Sequence, residues 1–175
     1  MNDRKGAISM SEEIIYATLE KLERMHKSLL ELSFKKTELI KTNNTKALDE
    51  MLKDEQAHVA AIDKLEQQRQ LQVTEYLGAK GFAPADKMAV ADVIKVADNV
   101  FDKEKLEKVR NRLLLIIDDL RKQNDLNQKL IFQSLQFVNL TLDMLRPQPG
   151  QINYSGNEVR GTNTIAKKTY FDSQA

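Results

Sequence analysis

From Asp102 to Leu145 the chain carries neither proline nor glycine, and the stretch ends at Arg146-Pro147-Gln148-Pro149-Gly150, which stops a helix. One α-helix over it would run roughly 65 Å at about 1.5 Å per residue. Placed at steps of about 100°, its apolar residues fall on a main stripe: Leu106, Val109, Leu113, Ile116, Ile117, Leu120, Ile131, Leu135, Val138, Leu142 and Leu145. Asn124 and Asn127 interrupt that stripe at its middle. The second half carries another stripe, roughly 120° away, made of Leu126, Leu130, Phe137, Leu140 and Met144. One face of such a helix can bury itself in the protein's own core. The other is core if further helices surround this half, but two hairpin helices cannot easily cover both stripes. It asks for a second partner, because exposed apolar strips of that length mark interaction sites.

The rest of the chain supplies the helices that this one can pack on. Ser9-Met10-Ser11-Glu12 fits a capping box, with Ser9 as N-cap and Glu12 reaching back, and predicts a helix over 10–41. Its stripe is Ile15, Leu19, Leu22, Met25, Leu29, Leu32 and Leu39 or Ile40. Lys41-Thr42-Asn43-Asn44 holds turn formers, and Asn44 or Thr45 can cap a second helix over 45–77. The stripe there is Leu48, Met51, Leu52, Val59, Ile62, Leu65, Val73 and Tyr76 or Leu77. Nearly equal lengths and a short link predict an antiparallel hairpin.

Gly78 to Pro84 reads as a loop, and a short helix over 86–100 turns the chain back before the long helix over 102–145. The expected fold is all-α: an antiparallel hairpin packed on a long C-terminal helix, an elongated bundle or coiled coil forming one domain over 1–145. Residues 146–175, rich in Gly, Pro and Asn, read as a flexible tail. Tyr154, Val159, Ile165, Tyr170 and Phe171 are more apolar than a spacer needs, which leaves docking on a groove as the alternative.

Charge narrows the function. The net charge is +1 and the two signs alternate along the chain, so no basic face gathers for nucleic acid or an anionic membrane surface. With no Cys there is no disulfide frame, thiolate metal site or thiol nucleophile. Met1-Asn2-Asp3-Arg4-Lys5 is not followed by an apolar run, so no signal peptide is expected. No apolar segment reaches about 18 residues, so no membrane span is expected either. The expected address is the cytoplasm.

The one pattern that invites chemistry is a pair of Glu-x-x-His motifs, Glu23 with His26 and Glu55 with His58. Carboxylate-bridged di-iron bundles use that spacing, and in a hairpin the two would sit at similar heights. Such a site also needs an inward Glu from each of two further helices. The long helix has Glu only at Glu104 and Glu107, near its start. The reading is therefore two solvated histidines, no metal and no cofactor. Gly78-x-x-Gly81 lacks the Lys-Ser/Thr and the strand of a phosphate loop, and no serine has a His placed as its base. An enzyme is not expected. Asn124 and Asn127 carry more information: a polar residue in a helical seam fixes register or partner choice, unless the helix bends and exposes it.

Asn124-x-x-Asn127-x-x-Leu130-Ile131-x-x-Ser134-Leu135-x-Phe137-Val138 resembles the late segment of the FlgN-type flagellar export chaperones. The hairpin's Leu48, Leu52, Glu55, Ile62, Leu65, Glu66 and Arg69 are similar too, as are Tyr154, Gly156, Phe171, Asp172 and Ala175 of the tail to the bacillus-like branch. The resemblance implies a small cytoplasmic all-α chaperone of flagellum biogenesis and type III protein export. It would bind the C-terminal helical segments of the hook–filament junction proteins FlgK and FlgL, keep them unassembled and bring them to the export apparatus. The partner-binding candidates are Asn124, Leu126, Asn127, Leu130, Phe137, Leu140 and Met144. The competing expectation is a structural coiled-coil homo-oligomer or adaptor that uses the same apolar surface without export clients.

Overall fold

The structure is a computed structural model that describes residues 2–83 and 88–145, with side-chain surroundings from Ser11 onward. The expected tail, 146–175, lies outside the described residues. Four helices follow one another: α1 (Asn2–Lys41), α2 (Thr45–Ala79), α3 (Val90–Val96) and α4 (Val100–Leu145). No strand occurs among the described residues, so the fold is all-α, an elongated helical bundle.

Local chemistry sets the breaks. Asn43 takes a left-handed conformation (φ 51°), which Asn tolerates better than other side chains with a Cβ. Asn44 then caps α2 by accepting the Ala47 N–H at 3.2 Å. After α2 the chain turns at Gly81 (φ 88°), where a Cβ would be strained. Asn99 caps α4, its side chain accepting the Phe101 N–H at 3.0 Å. The expected helix over 86–100 is shorter than predicted. It spans Val90–Val96, and the backbone is already extended at Ala97.

The capping box at Ser9 is overturned. Helix α1 begins at Asn2 and runs through Ser9 without a break. Glu12 does not reach back to a helix end. It is buried, and its carboxylate accepts a hydrogen bond from the Tyr76 hydroxyl of α2. A tertiary partner has taken the side chain that the local pattern assigned to a cap.

Helix α1 lies between α2 and α4, which nowhere approach within 8 Å, Cα to Cα, among the described residues. Cross-links give the directions. Tyr76 pairs with Glu12, His58 with Ser28 and Glu55 with Lys36, so α2 runs antiparallel to α1 as the hairpin predicts. Arg112 pairs with Glu23 and Asn127 with Ser33 and Thr37, so α4 runs parallel to α1. The core sits at the end where α3 bridges α2 and α4. There Ile15, Leu19 and Leu22 meet Val73, Tyr76 and Leu77, Val93 and Ile94, and Leu106, Val109 and Leu113.

Candidate functional site

The free end of α4 is the candidate site, and its position follows from the register of α4 on α1. Thr37 donates its hydroxyl to Asn127 Oδ1 at 2.6 Å, and Asn127 Nδ2 donates to the Ser33 carbonyl at 2.8 Å. Gln123 Nε2 donates to Thr37 Oγ1 at 2.6 Å. Lower down, the Arg112 guanidinium grips both carboxylate oxygens of Glu23 at 2.8 and 2.9 Å. That carboxylate holds the guanidinium's pKa above its ordinary value. With Asn127 fixed beside Thr37, and α1 ending at Lys41, the last turns of α4 pass beyond the end of the hairpin. Every residue from Ile131 to Leu145 is exposed, a free length of roughly 20 Å.

This corrects the assignment of the distal main stripe. Periodicity gave Ile131, Leu135, Val138, Leu142 and Leu145 to the protein's own core, yet all five are exposed, Leu135 by 58%. The stripe is intact; the helix it packs on has stopped. Helix length was the signal that could have found these residues, because the long helix exceeds either predicted hairpin arm by several turns.

The candidates on the second stripe are distributed as follows. Leu126, Phe137, Leu140 and Met144 are exposed, Phe137 by 73%, and Leu130 is half-buried. The two asparagines part company. Asn124 is exposed at the rim of a groove between α2 and α4 that also holds Lys36, Glu55, Val59 and Gln128. Asn127 is only 2% exposed, and its amide is occupied inside the bundle by Ser33 and Thr37. Its place is the register seam rather than the free surface. A further recess lies where the α1–α2 turn meets the start of the free end. Leu39, Ile40 and Leu48 line it from the hairpin, and Ile131, Leu135 and Val138 from α4.

The free end is poor in polar chemistry. No charged residue lies between Lys129 and Asp143, although charged residues make up 30% of the chain. Ser134 and Thr141 direct their hydroxyls to the Leu130 and Phe137 carbonyls of their own helix, each at 2.9 Å. Two hydroxyls are thus spent internally, and what remains polar is amide: Gln133, Gln136 and Asn139.

The Glu-x-x-His motifs serve contacts within and between the helices. His58 Nδ1 donates to the Asp54 carbonyl at 2.8 Å, which leaves Nε2 to Ser28 Oγ at 2.8 Å. His26 Nδ1 donates to the Leu22 carbonyl at 2.8 Å. Glu55 is paired with Lys36 and Glu23 with Arg112. Among the described residues, no three His, Cys, Asp or Glu side chains form a group that could hold a metal ion. No helix among them is long and apolar enough to cross a membrane.

Comparison with known proteins gives this helix a setting. The "FlgN protein" family model matches residues 10–159, from α1 past the end of α4. A protein of Bacillus subtilis (strain 168), described as "Uncharacterized protein YvyG", is 32% identical over 166 residues, covering 95% of this chain and 100% of that protein. No solved structure matches the chain. On a family match that takes in three of the helices whole and most of α1, the chain belongs to the FlgN family, a family of flagellar export chaperones rather than of enzymes.

Proposed function

We propose that this protein is a cytoplasmic flagellar type III export chaperone whose clients are hook–filament junction proteins of the FlgK and FlgL type. It holds their C-terminal helical segments through the free end of α4, keeps them from assembling early and brings them to the export apparatus. The observation that carries the reading is the exposed apolar helix end from Ile131 to Leu145, without a charged residue before Asp143 and held clear of the protein's own core. An amphipathic client segment is recognised by this kind of surface, helix against apolar helix, without a catalytic group or cofactor. The partner residues on this reading are Leu126, Leu130, Phe137, Leu140 and Met144, with Asn124 at the rim and Asn127 setting the register beneath them.

The test is titration of the purified chain with a full-length FlgL-type protein and with the same protein lacking its C-terminal helical segment. Binding should be saturable with the first and absent with the second. Equal binding of both would remove the C-terminal segment as the recognised element.

A further inference from the structure

We propose that the free end of α4 is held by two separate helical segments of its partner, one on each apolar stripe. The first takes over, along Leu135, Val138 and Leu142, the place that α1 vacates at Lys41. The inference rests on the chaperone reading above and says how that site is occupied.

Three features lead to it. The main stripe of α4 packs on α1 as far as the hairpin turn and then continues uncovered for roughly 20 Å. At the point of transfer, Leu39, Ile40 and Leu48 form an apolar recess with Ile131, Leu135 and Val138. That recess is a seat for the end of a helix lying in line with α1. The second stripe, with Phe137, Leu140 and Met144 exposed, lies roughly 120° round the helix. A helix packs by setting one ridge into one groove of its neighbour, so a single partner helix covers one stripe and leaves the other in water. A helix that is apolar on more than one side belongs inside a bundle.

The chemistry of the occupant follows from the missing charge. With no charged residue between Lys129 and Asp143, a Lys or Glu turned inward by the partner would be desolvated without a counter-charge. The two partner segments therefore present aliphatic or aromatic faces interrupted by amides and small residues, facing Gln133, Gln136 and Asn139. Each is about four turns long to match the free end. A second copy of this chain fits less well: pairing two free ends covers one stripe of each and leaves the other bare.

The experiment uses the full chain and a purified full-length FlgL-type protein as probe. Three forms are compared: wild type, the main-stripe variant Leu135→Gln/Val138→Gln and the second-stripe variant Phe137→Gln/Leu140→Gln. Affinity is read by titration, and deuterium exchange on the probe shows which of its stretches are protected. Each variant should keep the wild-type helix signal and weaken binding by about a hundredfold or more, since each removes two apolar anchors. Each should also release a different protected stretch of the probe. If Leu135→Gln/Val138→Gln loses helix signal, Leu142→Gln, farther from the hairpin, is measured in its place.

A variant that binds the probe as wild type does, or a single protected stretch lost in both variants, overturns the two-segment arrangement and leaves the chaperone reading standing. No binding of the probe to wild type overturns both. A wild-type dimer that resists the probe and dissociates in either stripe variant assigns the surface to a second copy, and overturns the proposal.

Discussion

The two ends of the molecule carry the same kind of residue pattern and use it in opposite ways. At the α3 end, Leu106, Val109 and Leu113 of α4 are buried against α1, α2 and α3. At the far end, Leu135, Val138 and Leu142 repeat the same spacing and lie open. What differs is company: α3 bridges α2 and α4 at one end, and at the other α1 has ended. An apolar stripe states what a helix can cover, and neighbouring helices decide whether it is covered from within or from outside.

The largest test of that contrast is a matched pair of truncations. Leu113→Ala should cost about 2–5 kcal/mol of unfolding free energy, as buried leucines do. Leu135→Ala should leave the unfolding free energy within about 0.5 kcal/mol of wild type, as surface substitutions do. Equal destabilisation by both would mean that the free end is core, and the division between the ends would fall.

A polar test at the closed end is smaller. Tyr76→Phe removes the hydroxyl that Glu12 accepts and strands a buried carboxylate, at a cost of about 1–3 kcal/mol. The same pair gives a pH dependence. Burial first, and the Glu12 carboxylate second, hold the Tyr76 phenol above its ordinary value of 10.0. Above that pH the unfolded chain loses the proton while the folded one keeps it, so stability falls as pH rises. The Tyr76 contribution is complete below about pH 10 and drains away above it. Stability curves from pH 8 to 11 should therefore slope less steeply at the alkaline end for Tyr76→Phe. Parallel curves would mean that this phenol does not titrate differently on folding.

The smallest effect belongs midway between the ends. Arg112→Ala breaks a half-exposed ion pair with Glu23 and should cost about 0.2–1 kcal/mol, less in high salt. A larger loss would show that surface pairing, and not the core beneath it, holds α4 on α1.

Much of this was legible in the sequence because it is local. Stripes at helical spacing, two asparagines at a turn and two glycines after Leu77 mark elements within a few residues of themselves. The misses were tertiary. Ser9 and Glu12 have the spacing of a cap, but the Glu12 carboxylate is claimed by Tyr76, far along the chain. The distal main stripe reads as core by periodicity, and nothing periodic says where the supporting helix ends beside it. The asparagines show the same limit: three residues apart on one stripe, one is buried and one is exposed, and only the neighbouring Thr37 decides which.

Asn127 occupies the same heptad position as Leu106, Leu113 and Leu120. Leucines repeating at sevens are indifferent to sliding: α4 displaced by one repeat would still match apolar to apolar against α1. The amide removes that freedom. A slip in one direction would set Leu120 opposite Thr37, and in the other the shorter Ser134, and neither can both accept from Thr37 and donate to the Ser33 carbonyl at the observed spacing. Each slip would also lengthen or shorten the reach of the helix by roughly 10 Å. The seam thus acts as the index mark on a sliding rule, and the quantity it sets is how much handle the protein holds out.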